Sequence, residues 1–225
     1  RQDAARVGVE LPNFDGFWEQ GYAESPAPKT PHTVLSKFRD DPAASPLKTP
    51  SGKIEIFCDR VAGFGYDDCH GHPVWMEPIE WLGSDKAATY PLHMISNQPA
   101  GKLHSQMDFA GESAHLKING REPVLPNHDD AERRGIREND IVRVFNDRGA
   151  TLAAAVITDG VRSGVIRLST GAWYDPAEPG RLGALDKHGN PNMLTPDKGT
   201  SKLGQGPIAH TALVDVERFD GDQVR

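Results

Sequence analysis

Cysteine is nearly absent from this chain, with only Cys58 and Cys69 among 225 residues. That excludes a disulfide-stapled scaffold and leaves either two free thiols or one bridge, so cysteine usage does not fix a compartment. Long apolar runs are missing too. No stretch approaches the ~18 residues of a membrane-spanning helix, and no membrane span is expected. There is no surplus of positive charge: 25 Lys and Arg stand against 32 Asp and Glu, for a net charge of −7. The basic residues are scattered among acids, which argues against a nucleic-acid partner. Common catalytic signatures are absent as well, with no Gly-x-Ser-x-Gly elbow, no Walker Gly-Lys-Ser/Thr loop and no His-Glu-x-x-His helix. "GRLGALDKHG" (180–189) is glycine-rich but follows a loop, not a strand, and so fails the context of a dinucleotide-binding Rossmann turn. "CHGH" (69–72) lacks the second ligand pair of a structural zinc site and reads as a polar loop. The chain begins at Arg1 without an initiator methionine or an apolar leader, and it is expected to be part of something longer.

What is present divides at about residue 85. Residues 1–85 are rich in Pro, Gly and aromatics and poor in periodicity, and are expected to be mostly irregular. "FDGFWEQ" predicts a short helix over Phe14 to Gln20, and "SPAPKTPHT" from Ser25 an extended or turn-rich path. Pro50-Ser51-Gly52 is turn chemistry, and alternation over Lys53 to Phe57 predicts a short strand. Residues 86–225 change to short apolar runs between turn signals. Strands are predicted at Tyr90–Ser96, Asp140–Phe145, Ala150–Ile157, Val165–Leu168 and Ala212–Val216, with an extended Pro123-Val124-Leu125. Asn127 or Asp129 is the expected N-cap of a short helix that Gly135 ends. Some six short strands with only small helices imply a compact barrel, mainly β, rather than an open α/β sheet.

Two stretches exceed what packing requires. "SNQPAGKLHSQMD" (96–108) gathers Asn97, Gln98, His104, Ser105 and Gln106 after a buried strand. "GNPNMLTPDKGTSKLGQGP" (189–207) spreads Asn190, Asn192, Thr195, Asp197, Ser201 and Gln205 among glycines and prolines. Neutral amides, hydroxyls and glycine-exposed backbone are what hold a large heterocycle or a pyrophosphate, and Asp197 suits an amidine-like N–H edge such as that of guanine or a pterin. The same residue types also build ordinary loops through Asx turns, and residue chemistry alone leaves both readings open.

"HMISNQPAGKLHSQMD", "PVLPNHDDAERRGIRENDIVRVFNDRGA" and "GNPNMLTPDKGTSKLGQGP", in this order, resemble the C-terminal cofactor-binding domain of the dimethyl sulfoxide reductase family of molybdenum enzymes. "PLKTPSGKIEIF" is similar to the segment leading into that domain, so the likeness runs from Phe14 to Phe219. Asn-Gln-Pro, Leu-His-Ser-Gln and Gly-Ala-Trp-Tyr-Asp-Pro (171–176) look most like the S- and N-oxide reductase branch. The resemblance implies a double-psi β-barrel over 86–225 that binds molybdopterin guanine dinucleotide, preceded over 1–85 by the irregular end of another domain and a linker. Two such dinucleotides hold one metal, as bis(molybdopterin guanine dinucleotide) molybdenum. By motif position, Ser96, Asn97, Gln98, His104, Ser105 and Gln106 would line the pterin and pyrophosphate, with Asn192, Asp197 and Gln205 as contacts from the second stretch. His104 would donate to a pterin or dithiolene atom; the other reading of it is a loop histidine bonded to backbone.

In this family the protein ligand to molybdenum lies upstream, so no residue here is expected to be catalytic or to bind metal, Cys58 and Cys69 included. The implied activity is oxygen-atom transfer from an S-oxide or N-oxide by a longer chain, this fragment being inactive alone. The implied partners are upstream domains of the same polypeptide, the oxide substrate and an electron-donor protein. The expected compartment is the periplasm, with the cytoplasm as the alternative. Other readings are a free-standing binding barrel, another double-psi barrel such as a self-processing decarboxylase, and the same domain of a formate dehydrogenase or nitrate reductase.

Overall fold

The structure is a computed structural model that describes residues 2–221 apart from 7, 25, 26, 28 and 29. Packing divides the chain into Arg1–Cys58 and Asp59–Arg225. The first unit holds three short helices, Gln2–Arg6, Phe14–Gln20 and Ser36–Asp40. Phe14–Gln20 begins and ends as the sequence predicts. Asn13 Oδ1 caps it by accepting from Gly16 N at 2.8 Å, and Gly21 ends it at φ +80°. Neither this helix nor Ser36–Asp40 buries a residue. The strand expected over Lys53 to Phe57 does not form. Ile54 and Ile56 are both exposed, and alternation without a neighbouring strand has nothing to pair with. Part of "SPAPKTPHT" lies outside the described residues.

The second unit is built on six strands: β1 (Leu92–Ile95), β2 (Pro123–Pro126), β3 (Ile141–Phe145), β4 (Ala150–Ala155), β5 (Val165–Leu168) and β6 (Ala212–Arg218). They close into a barrel in the order β1-β5-β2-β4-β3-β6. Closure leaves no open edge to template aggregation. One residue in two points inward, as a pleated strand requires: Leu92 and Met94, Val142 and Val144, Ala153 and Ala155, Ile166 and Leu168, and Ala212, Val214 and Val216 form one core with Val124. β2 is the expected Pro-Val-Leu segment, and its pairing on both sides makes it a full barrel strand. After it, Asn127 caps the helix His128–Glu132, and Gly135 ends the turn that follows at φ +65°.

Strand directions decide where the long connections go. β1 is parallel to β5 and antiparallel to β6, and β6 is antiparallel to β3, so β1, β3 and β5 all run one way. β2, β4 and β6 run back. Two parallel pairs, β1–β5 and β2–β4, interlocked by antiparallel ones, make this a double-psi β-barrel. The connections 96–122 and 169–211 therefore both leave and return at one end, where the β3–β4 turn also lies. The connections 127–140 and 156–164 close the other end, and Ala131 and Ile136 add their side chains to the core there.

Residues 59–91 pack with the barrel. Their main anchor is Glu80, whose side chain is 4% exposed and pairs with Lys86 and Arg148.

Candidate functional site

The first polar stretch starts where β1 ends. Ser96 is buried. The Asn97 carbonyl accepts from Thr170 N at 2.9 Å and its Oδ1 from Ser169 Oγ at 3.0 Å, which straps the ends of parallel β1 and β5 together. Gln98 Nε2 donates to the Lys102 carbonyl at 2.5 Å and shapes the Pro-Ala-Gly bend. These three residues support the loop. His104, Ser105 and Gln106 are different. All three are exposed, and among the described residues none of their side chains makes a hydrogen bond. They sit on a tight knuckle closed by Gln106 N to Leu103 O at 2.9 Å, with His104 at φ +50° and Met107 at φ +66°. Left-handed backbone at two non-glycine residues costs energy, and it persists where the surroundings fix it.

Those surroundings come from two directions. On one side, Trp173 Nε1 donates to the Ser105 carbonyl at 2.8 Å. Beside it Gly171, at φ +99°, lies so close that a Cβ would come within 1.8 Å of the His104 carbonyl oxygen. Only glycine fits there. Gly171→Ala is expected to push the knuckle away from the 169–173 loop while the barrel strands stay intact. Hydrogen exchange checks this: amides 103–107 should speed up and those of β3 and β4 should not.

On the other side lies a cluster that the sequence reading missed. Lys102 Nζ contacts Asp108 Oδ1 at 2.7 Å and Glu122 Oε1 at 2.5 Å, and all three side chains are almost fully buried. Lys117 Nζ joins the same two carboxylates, at 2.8 Å from Asp108. Asp108 Oδ2 accepts from Trp173 N at 3.0 Å and lies 2.9 Å from His188 Nε2. Phe109 stacks on His188 with ring centroids 5.1 Å apart. Burial alone would raise the Asp108 carboxyl, but hydrogen bonds from Lys102, Lys117 and Trp173 N–H hold it well below the usual range. Asp108, Glu122 and His188 place ligand-type atoms within 4.8 Å of one another, the only such trio of His, Cys, Asp or Glu among the described residues. The position a cation would take is filled by two ammonium groups, so the charge is already balanced.

The second stretch is less unified. Asn192 is exposed and lines an open cavity of about 520 Å³ with Arg148, Tyr174, Arg181 and Thr195. Asp197 is exposed with no side-chain hydrogen bond among the described residues. Gln205 is exposed too, but its Nε2 donates to the Ser201 carbonyl at 3.1 Å within a small hairpin that pairs Gly199 with Pro207. No hydrogen bond joins Asn192, Asp197 or Gln205 to the first stretch among the described residues; the three share only its end of the barrel. Asn190 is buried and caps the short turn Pro191–Met193. Cys58 and Cys69 are free thiols.

Of the missed residues, Lys102 and Asp108 were inside the quoted first stretch, flanking its most polar part. His188 was inside "LDKHG", set aside with the Rossmann reading. The signal available was a pair of charges bracketing a neutral loop.

Residues 92–213, more than half of the chain, match the family model for the molydopterin dinucleotide binding domain. The chain belongs to that family. Among its relatives, the dimethyl sulfoxide/trimethylamine N-oxide reductase of Cereibacter sphaeroides is 45% identical over 217 residues, covering 96% of this chain and 26% of that protein. Trimethylamine-N-oxide reductase 1 of Escherichia coli strain K12 is 49% identical over 220 residues, covering 95% and 26%. The biotin sulfoxide reductase of Cereibacter sphaeroides is 49% identical over 213 residues, covering 95% and 28%. The chain thus spans about a quarter of the length of these relatives. Among solved structures, acetylene hydratase from Pelobacter acetylenicus aligns with a TM-score of 0.63 over 80% of this chain and 25% of its own, at 21% identity, which shows a shared fold.

The residues present fit a molydopterin dinucleotide. The knuckle offers an imidazole, a hydroxyl and an amide with free hydrogen-bonding capacity, and the cavity at the same end of the barrel adds the Asn192 amide and the exposed Arg181, whose guanidinium pairs with Glu178. A neutral, donor- and acceptor-rich surface matches the edges of a pterin.

Proposed function

We propose that this chain is the cofactor-binding portion of a molybdenum oxidoreductase that reduces S-oxides or N-oxides, and that it holds molybdopterin guanine dinucleotide at the end of the barrel where its two long connections meet. The observation that carries the reading is the exposed knuckle His104-Ser105-Gln106, held in a strained backbone with its side chains unengaged. The relatives' names supply the class of oxide. When bound, the molybdenum dithiolene cofactor supplies the two-electron oxygen-atom-transfer chemistry. This chain's share is to bind and orient: the His104 ring, Ser105 hydroxyl and Gln106 amide offer hydrogen bonds to the pterin, while Asn192 and Asp197 from the second connection meet the nucleotide. Gln205 is the weakest of these assignments, because its amide already serves its own hairpin. The remaining domains of the polypeptide, which would carry the metal ligand, and an electron-donor protein complete the enzyme.

His104→Ala and Gln106→Ala in the full-length protein are each expected to lower molybdenum and guanine nucleotide content per polypeptide several-fold. An imidazole hydrogen bond to the cofactor is also expected to tune its potential, as hydrogen bonds around a redox centre do. Normal metal content, potential and turnover in both variants would remove the assignment of these side chains.

A further inference from the structure

We infer that the buried charge cluster of Lys102, Asp108, Lys117, Glu122 and His188 is a positioning device that sets the geometry of the His104-Ser105-Gln106 knuckle, an inference that rests on the reading of this knuckle as a cofactor clamp. Three observations lead to it. Lys102 and Asp108 bracket the knuckle in sequence, and their ion pair at 2.7 Å pins its two ends together. Asp108 then uses its second oxygen to hold Trp173 N at 3.0 Å, and Trp173 reaches back to the Ser105 carbonyl at 2.8 Å, so one carboxylate fixes both the base and the flank of the loop. Finally, His188 Nε2 at 2.9 Å ties Asp108 to the 186–190 segment, with Phe109 stacked on the ring.

Two other roles fit the geometry less well. Metal binding would require displacing two ammonium groups from the carboxylate oxygens they bridge. Proton relay would require Asp108 to accept a proton readily, and its three donors oppose that. Burying four charged groups is a poor source of net stability, because desolvation offsets their mutual attraction. What such a cluster provides is a fixed arrangement: each charge has its geometry dictated by the others, and the loop between Lys102 and Asp108 inherits it. That explains how His104 and Met107 are kept in left-handed backbone while their side chains stay exposed.

Lys102→Met is the decisive variant, since it cuts the bracket while leaving Lys117 between both carboxylates. Asp108→Asn is the second, and Val142→Ala is a control that lowers stability from the barrel core without touching the knuckle. In the full-length protein, Lys102→Met and Asp108→Asn are expected to accelerate hydrogen exchange of amides 103–107 and 171–173 about tenfold relative to Val142→Ala at matched melting temperature. They should also lower molybdenum and guanine nucleotide content and shift the metal's midpoint potential in the fraction that stays loaded, while the control leaves that potential in place. Equal exchange at 103–107 in Lys102→Met and Val142→Ala would overturn the inference, and so would an unchanged potential in loaded Lys102→Met. Should His104→Ala prove silent, the clamp reading fails, and the exchange comparison still decides whether the cluster holds the knuckle.

Discussion

Glu80→Ala is expected to destabilise the 59–225 unit by about 3–5 kcal/mol, the cost of removing one partner from a buried ion pair. In a chain of this length that corresponds to a melting temperature lower by roughly 10 °C. Glu80 is the point where three segments meet: 59–91, the β3–β4 turn and β6. Its Oε1 takes Lys86 Nζ at 2.5 Å and Arg148 Nη1 at 2.6 Å, and its Oε2 takes Arg148 Nη2 at 2.9 Å and Leu213 N at 2.8 Å. Arg148 also donates to the Leu194 carbonyl at 2.8 Å, so the residue that orders the Asn192 cavity is itself ordered by Glu80. Alanine would leave the guanidinium half-buried with one fewer counter-charge and the Leu213 amide without its acceptor. The loss should therefore include looser exchange at 190–195 as well as a lower melting temperature.

The same carboxylate gives a pH signature. Burial works to raise it, but hydrogen bonds from Arg148 and Lys86, with the Leu213 N–H, bring it down to about 2 from an ordinary 4.5. A depressed acid stabilises the fold fully above its unfolded value and loses that contribution as pH falls through its folded one. The window is therefore pH 4.5 down to 2, and the contribution is about 3 kcal/mol. Glu80→Gln should be less stable than the parent at neutral pH, with the gap narrowing across that window. A gap independent of pH in thermal melts would show that the charge is not what matters.

Much of the barrel was legible because a strand with one face in a core alternates, and β3, β4, β5 and β6 all do so around inward residues such as Val142, Ala153, Ile166 and Val214. The same rule misled over Lys53 to Phe57, because alternation records a possible face and says nothing about a partner. β4 also shows its limit: Leu152 and Ala154 are as buried as their inward neighbours, since Leu152 N donates to the Asp186 carbonyl and Ala154 N to the Glu122 carbonyl beneath the long connections. The polar knuckle could be read from composition, as glycine, amides and a histidine after an apolar run. Its support could not. Asp108 and His188 meet across four intervening strands and a long excursion, and nothing local in "QMDF" or "DKHG" marks a buried charge. Exposed ligand chemistry is written in residue types; the burial that aims it comes only from the closed topology.

Asp186→Asn should have the other large effect. This carboxylate is fully buried, and its hydrogen-bond donors among the described residues are backbone N–H groups and a hydroxyl. Its Oδ2 accepts from Thr151 Oγ1 at 2.5 Å, Gly189 N at 3.0 Å and Asn190 N at 2.8 Å, and its Oδ1 from Asp175 N at 2.8 Å. An anion surrounded by convergent N–H and O–H donors is a strong arrangement, because charge-assisted bonds are about twice as strong as neutral ones. Asparagine keeps the shape but replaces one acceptor oxygen with an NH₂ group that faces the same donors. Whichever way the amide turns, at least one buried backbone N–H loses its acceptor and meets a competing donor, at about 1–3 kcal/mol for each group left unsatisfied. The expected result is a loss of about 3–5 kcal/mol overall, consistent with disrupting a buried polar network. Asp186 N also pairs with the Ala150 carbonyl at 3.1 Å, so the damage should spread from 175–190 into the start of β4. Because His188 sits in that segment and holds Asp108, cofactor content should fall in Asp186→Asn even though no atom of Asp186 reaches the exposed end. Hydrogen exchange would show the order of events: protection lost first at 175 and 187–190, then at 103–107, with β5 and β6 retained. Uniform loss across all six strands would mean instead that Asp186 holds the barrel as a whole.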